Sequence, residues 1–298
     1  MLVADLDGTL IIPSGALGPG CRRLVAALDE QNGVLVPASA RPIDSIAQVF
    51  SDTPAVDLVS SSGGGVIGRV ARGRVRAVLQ EEVLTLSAGA TFVAELQAHA
   101  EAGDGVLFEF ADSSRNFAVA IVGSELLTRN ELSTLVGQRP IELASDDLDA
   151  RSDALRQALG VSFLAPVTLS SSETTVPDDL DDAIKNLPRG WRWTTYPEVR
   201  LPGWQWLEVL PERAAKGPAA DRIVAMLTHG SLPPIVIAAG DATDDIPLLS
   251  RAAHSWCPST AADDVKIAAH EVLEAPGGDA FANALAQRIR EINLLGRE

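Results

Sequence analysis

Through the first eighty residues, short apolar runs alternate with longer amphipathic stretches. Leu2–Ala4, residues 34–36 and residues 57–60 read as strands, while 20–31 and 42–50 repeat apolar positions at helical spacing. This rhythm predicts a parallel sheet with helices on both faces, an α/β core of Rossmann-like type. From about residue 83 the pattern changes. Helix-like 90–102, 148–159 and 178–187 are interspersed with strand-like 106–110, Phe117–Val122, 161–169, 191–195 and 204–210. The core pattern resumes with amphipathic 219–227, apolar 235–239 and helical 281–292. The expected organisation is a core made of 1–82 and 211–298, interrupted by an inserted α+β domain over 83–210. Ser-Ser-Ser-Gly-Gly-Gly at 60–65 lacks the Lys-Ser or Lys-Thr of a phosphate-binding P-loop and reads as a turn between strands.

Four of these apolar runs end in, or adjoin, polar residues of complementary kinds. The first delivers Asp5 and Asp7 just before a break at Gly8. Strand alternation would point both carboxylates the same way, and like charges so close need a shared proton or a hard divalent cation such as Mg²⁺. A capping or turn role is the competing reading. The second run leads into Ser39, Ala40 and Arg41, a hydroxyl and a guanidinium suited to phosphate oxygens, although an ordinary strand-to-helix turn has the same composition. In the third, Lys216 precedes an amphipathic stretch, where an ammonium gains nothing from the helix dipole and an anionic partner explains it better. The fourth, apolar 235–239, ends in Asp241, Asp244 and Asp245. It lacks the alternating ligands and the closing glutamate of a calcium loop.

Acid pair, hydroxyl, lysine and acid cluster together form a kit for phosphoryl transfer through an aspartyl phosphate. In that reading Asp5 attacks phosphorus, Asp7 serves as general acid and base, and Lys216 with Mg²⁺ offsets the phosphate charge. The metal would be held by the Asp5 and Asp241 carboxylates and the backbone carbonyl of Asp7. Gly8, Ser39, Ala40, Arg41, Lys216 and Asp244 would line the phosphate. Asp245 or Asp244 would steady Lys216 or the metal's waters.

The segments Asp5-Leu-Asp7-Gly8-Thr9-Leu10, Ser39 with Arg41, Lys216-Gly217 and Gly240-Asp241-Ala-Thr-Asp244-Asp245 resemble, in order and spacing, the four motifs of the haloacid dehalogenase superfamily of phosphatases. The long interval between the second and third is similar to its Cof-type, C2-capped (type IIB) branch. The resemblance implies a C2-type cap domain, a Mg²⁺ cofactor and a phosphomonoester hydrolase. A small phosphorylated metabolite, best a sugar or glycoside phosphate, is the expected substrate. A phosphomutase of the same fold, or a catalytically silent metabolite-binding protein, would share most of these residues. The chain departs from the branch at Ala40, where Gly is usual, at Asp244, where Asn is common, and at Ser62-Gly63, where Asn-Gly is common.

Composition narrows the partners. Of 298 residues 46% are hydrophobic, enough for a real core, and 40 acids against 24 Lys and Arg leave no basic patch for nucleic acid. No run approaches membrane-spanning length and no leader pattern opens the chain, so a cytoplasmic enzyme is expected. Cys21 and Cys257 are expected to be reduced thiols. Trp191, Trp193, Trp204 and Trp206 could stack on a sugar ring, but their alternation fits hairpin packing better. Arg115 is a loop candidate for substrate contact. The four histidines adjoin no ligand-like cluster and receive no role.

Overall fold

A computed structural model describes residues 1–11, 17–53, 55–85, 105–111, 117–122, 141–143, 157–158, 160–166, 184–197, 204–228 and 233–292. The chain divides into two compact units, Met1–Gln80 with Arg213–Glu298, and Glu81–Glu212. The helices expected over 90–102 and over most of 148–159 and 178–187, together with Arg115, lie outside the described residues. Among the described residues, no helix is long and apolar enough to cross a membrane.

The first unit opens with β1 (Leu2–Ala4), α1 (Pro19–Glu30), β2 (Leu35–Pro37), α2 (Ile43–Val49), β3 (Leu58–Ser61), β4 (Val66–Ala71) and β5 (Arg74–Glu81). The second unit carries β6 (Leu84–Thr85), β7 (Gly105–Ala111), β8 (Phe117–Val122), β9 (Ile141–Leu143), β10 (Gln157–Ala158), β11 (Gly160–Pro166), β12 (Trp191–Pro197) and β13 (Trp204–Pro211). The first then resumes with α3 (Lys216–Leu227), β14 (Ile237–Ala239), α4 (Ile246–Leu249), β15 (His254–Pro258), α5 (Asp263–Ala268), β16 (Glu271–Leu273) and α6 (Asp279–Glu291).

In the first unit a five-stranded sheet runs β16-β15-β14-β1-β2, every neighbouring pair parallel. Leu2, Val3 and Ala4 are matched to Ile237, Ala238 and Ala239 on one side and to Leu35, Val36 and Pro37 on the other. All nine are buried, which is why these runs are apolar throughout instead of alternating. One face, presenting Val3, Val36 and Ala238, is covered by Ala220 and Ile223 of α3 and Leu248 and Leu249 of α4. Leu24 and Leu28 of α1 and Phe281, Leu285 and Ile289 of α6 form buried stripes at helical spacing, and these two helices pack on each other. Chain order reverses between β1 and β14, so the crevice at the carboxyl ends of these strands is the switch point where α/β sheets bind ligands.

Past β2 the sheet continues through an isolated pairing of Ala38 with Ser60. Residues 62–64 form the turn between β3 and β4, in keeping with the sequence reading of that segment. The β4–β5 hairpin, α4, α5, β15 and β16 are elements that the sequence pattern did not single out.

The second unit contains a six-stranded sheet, order β12-β13-β11-β7-β8-β9, antiparallel except where β8 meets β9, and a small β6–β10 pair. The described end of the helix-like 148–159 stretch is strand β10, because Gln157 and Ala158 pair with Thr85 and Leu84. β12 and β13 form an antiparallel pair that sets Trp193 opposite Val209 and Tyr196 opposite Trp206, so the tryptophan-rich segments are strands of one hairpin.

Candidate active site

The carboxyl ends of β1, β2 and β14 and the start of α3 converge. β1 ends at Ala4, and Asp5 follows it, held in line by donation of its N–H to the Ala239 carbonyl at 2.9 Å. The Asp5 carboxylate is buried, and its Oδ1 accepts from Lys216 Nζ at 2.7 Å. Lys216 is the first residue of α3 and is only 4% exposed. The same ammonium donates to Asp245 Oδ1 at 2.6 Å and lies 2.9 Å from Asp244 Oδ2. A solvated lysine is thereby excluded.

Asp245 is wholly buried, and both of its oxygens are engaged. Oδ2 accepts from the N–H groups of Asp241 and Ala242 at 3.0 and 3.1 Å, bracing the turn that carries Asp241. Asp241 Oδ1 accepts from the Thr9 hydroxyl at 2.6 Å. One carboxylate oxygen each from Asp5, Asp241 and Asp245 lies within 4.8 Å of the others. With Asp245 committed to Lys216 and the backbone, Asp5 and Asp241 remain as hard oxygen donors facing one another.

Electrostatics follow from four carboxylates sharing one ammonium. Burial pushes Asp5 well above the usual carboxylate range; Lys216 opposes this, and Asp245, Asp241 and Asp244 add to it. Burial likewise raises Asp241, against the Thr9 hydrogen bond, and lifts Asp245 to about 6 against the pull of Lys216. Burial alone would lower Lys216, but Asp244, Asp245 and Asp5 together outweigh it and hold the ammonium above the ordinary lysine range. The cluster carries more negative charge than its lysine neutralises, and a divalent cation between Asp5 and Asp241 fits both the charge and the donor type.

Asp7 does not share this cluster. Because the strand stops at Ala4, alternation no longer governs, and Asp7 sits in the following turn with an exposed carboxylate. Arg41 Nε and Nη2 donate to its two oxygens at 2.7 and 2.6 Å. The sequence expectation that Asp5 and Asp7 point together therefore fails at the end of the strand. Ser39 is buried, and its Oγ accepts from the Arg41 N–H at 3.1 Å, leaving the hydroxyl proton for a further acceptor. Ser39 and Arg41 are braced from behind: Ser39 N–H donates to Ser60, and the N–H groups of Ser62 and Gly63 donate to the carbonyls of Arg41 and Ser39.

Two glycines make the approach possible. Gly8 has φ +86°, and a Cβ there would collide with the Asp241 carboxylate. A Cβ on Gly277 would collide with the Gly8 carbonyl, and the neighbouring Gly278 N–H donates to the Thr9 carbonyl at 2.9 Å. Sequence reasoning assigned no role to Thr9 or Gly277. Thr9 lies inside the first motif and was available as a signal, but nothing local marks Gly277.

A model of the haloacid dehalogenase-like hydrolases matches residues 168–285, which contain Lys216, Asp241, Asp244 and Asp245. Solved structures share the fold of this chain over nearly its whole length. One is a sugar phosphatase of haloacid dehalogenase subclass IIB, 14% identical, TM-score 0.70, with 99% of each chain covered. Another, from Bacteroides thetaiotaomicron, is a phosphatase of that superfamily, 15% identical, TM-score 0.67, covering 99% of this chain and 95% of its own. A protein of Streptococcus mutans is 15% identical, TM-score 0.69, with 97% of each chain covered. At such identities the likeness is one of fold. No curated protein sequence matches the chain significantly.

Proposed function

We propose that this chain is a haloacid dehalogenase-like hydrolase, a Mg²⁺-dependent phosphomonoester hydrolase acting through a phospho-aspartate on a small phosphorylated metabolite. A sugar or glycoside phosphate is the favoured class. The observation that carries the reading is the buried Lys216 ammonium, bonded at once to Asp5, Asp245 and Asp244 at the switch point of the sheet. A buried cation so surrounded is costly unless its charge serves an anion, and it holds Asp5 in a fixed rotamer beside the place where a phosphoryl group would lie.

In the first step an Asp5 oxygen forms a bond to phosphorus as the bond to the leaving oxygen breaks, and Asp7 gives that oxygen its proton. In the second, Asp7 takes a proton from water as the water oxygen attacks phosphorus and Asp5 is released. Lys216 and the Ser39 hydroxyl bind phosphate oxygens throughout, while Asp244 and Asp245 hold the Lys216 ammonium in place. Asp5 and Asp241, with the Asp7 carbonyl, would hold Mg²⁺, which supplies charge neutralisation at the phosphoryl oxygens when bound. The inserted unit, residues 83–210, is proposed as a C2-type cap that selects the leaving group. Free, buried Cys21 and Cys257 thiols support a reducing, cytoplasmic setting.

The sugar phosphatase of subclass IIB supports the substrate class by likeness of fold. Phosphate release should be measured across a metabolite panel with Mg²⁺ and with EDTA. Metal-dependent hydrolysis is the expected result. Isomer formation without free phosphate would identify a mutase instead, and binding without turnover a silent receptor.

A further inference from the structure

The guanidinium of Arg41 was expected to receive phosphate oxygens, yet the structure gives it a different partner. Its Nε and Nη2 hold Asp7 Oδ2 and Oδ1 at 2.7 and 2.6 Å, a two-pronged fork on both oxygens of one carboxylate. Among the described residues, no other side chain hydrogen-bonds to the Asp7 carboxylate. With 48% of its side chain exposed, Asp7 would otherwise sample several rotamers. The arm that holds it is itself fixed, because the Arg41 N–H is bonded to Ser39 Oγ and its carbonyl to the Ser62 N–H at 3.1 Å. Three of the five guanidinium N–H groups, two on Nη1 and one on Nη2, point away from Asp7, and each Asp7 oxygen keeps one lone pair for a proton.

We propose that Arg41 is a positioning residue for Asp7: its fork sets the plane of the carboxylate that passes a proton to the leaving oxygen, and gripping the phosphate is not its main task. The inference rests on the phosphatase reading above. When an alkyl phosphate is cleaved, the bond from phosphorus to the leaving oxygen breaks as the bond to Asp5 forms, and the leaving alkoxide must receive the Asp7 proton. A p-nitrophenolate leaves as a stable anion and needs none. Loss of the fork should therefore penalise poor leaving groups selectively, whereas loss of a phosphate ligand would penalise every phosphomonoester alike.

The test compares Arg41→Lys and Arg41→Met with the wild type on p-nitrophenyl phosphate and on the sugar phosphate that the wild type cleaves fastest, both with Mg²⁺. The quantity read is kcat/KM, which reports the first chemical step and not the later attack of water. For the sugar phosphate a loss on the order of 100-fold is expected, the size of a misplaced catalytic group, with a loss at least tenfold smaller for p-nitrophenyl phosphate. On the sugar phosphate, Arg41→Lys combined with Asp7→Asn should be no worse than Asp7→Asn alone, since a positioning residue has nothing left to position. Equal losses on the two substrates by variants whose thermal unfolding matches the wild type, or additive losses in the double variant, would overturn the proposal. A wild type that cleaves neither substrate overturns the phosphatase reading and this inference with it.

Discussion

At the scale of single residues, the candidate site is a charge ledger around Lys216. Its ammonium is shared among Asp5, Asp244 and Asp245, so removing it leaves buried carboxylates with no counter-ion. Lys216→Met should cost about 3–5 kcal/mol of stability in denaturant titration, the usual penalty for breaking a buried ion pair from one side, and should abolish turnover. Asp5→Asn is nearly isosteric and removes one of the crowded negative charges. It should retain the fold by circular dichroism and lose all measurable phosphate release; full activity in that variant would show that Asp5 is not the nucleophile. Asp5, Lys216 and Asp241 were legible in the sequence because each stands where an apolar strand ends or an amphipathic helix begins. The separation of Asp7 from Asp5 was not, since it depends on where β1 stops and on Arg41, 34 positions away. Asp244, which adds a carboxylate where the branch that the sequence resembles commonly has an amide, is explained in part by its contact with Lys216.

Secondary-structure elements deliver these residues to one place, and their local chemistry is uneven. The β4–β5 hairpin turns through Arg72 and Gly73, both with left-handed φ, +51° and +74°. Two successive residues of this kind suit a type I′ turn, in which Asn-Gly is favoured over Arg-Gly. Arg72→Asn should therefore raise stability by about 0.5–1 kcal/mol, read as a higher thermal unfolding midpoint with the proposed phosphatase activity unchanged. The strands of the parallel sheet were readable as uninterrupted apolar runs, and α1, α3 and α6 as helical stripes. β15 and β16 were missed because His254-Ser-Trp-Cys-Pro and Glu271-Val-Leu mix polar and apolar residues. They are strands because β14 and then β15 offer each an edge to pair with, a tertiary cause with little local signal.

For the molecule as a whole, two linked equilibria are open to measurement. Because the acid cluster exceeds its lysine in charge, binding of Mg²⁺ to the native state alone should raise the unfolding temperature. At a hundredfold excess over its dissociation constant the gain is about 2.7 kcal/mol. Asp241→Asn should remove most of that gain, and a wild type whose unfolding ignores Mg²⁺ would speak against a metal at this site. The second equilibrium involves Cys21, whose thiol is pushed up to about 12, chiefly by burial and further by Asp279. In the unfolded chain the same thiol ionises near its ordinary value of 9.0. Between those values only the unfolded form loses the proton, so this contribution to stability is intact below pH 9 and declines as the pH climbs towards 12. Replacing Cys21 with Ala should flatten that alkaline decline in chemical denaturation. The two-part organisation of the chain was visible in the change of pattern near residue 83, but the parallel pairing of Leu2–Ala4 with Ile237–Ala239 could be inferred only by assuming that the two ends rebuild one sheet.

That pairing bears on how the molecule comes into being. β1 lies between β2 and β14, and the loop after it is closed off by Gly277 and Gly278. On the ribosome, β2 emerges some thirty residues after β1, whereas β14 is more than two hundred residues away. At about 5–20 residues per second, the segment bearing Asp5 waits roughly 10–50 s with one flank bare, an interval in which a nascent chain is open to wrong strand partners and to chaperones. The proposed site is therefore among the last features this polypeptide completes, although Asp5 is among the first residues made.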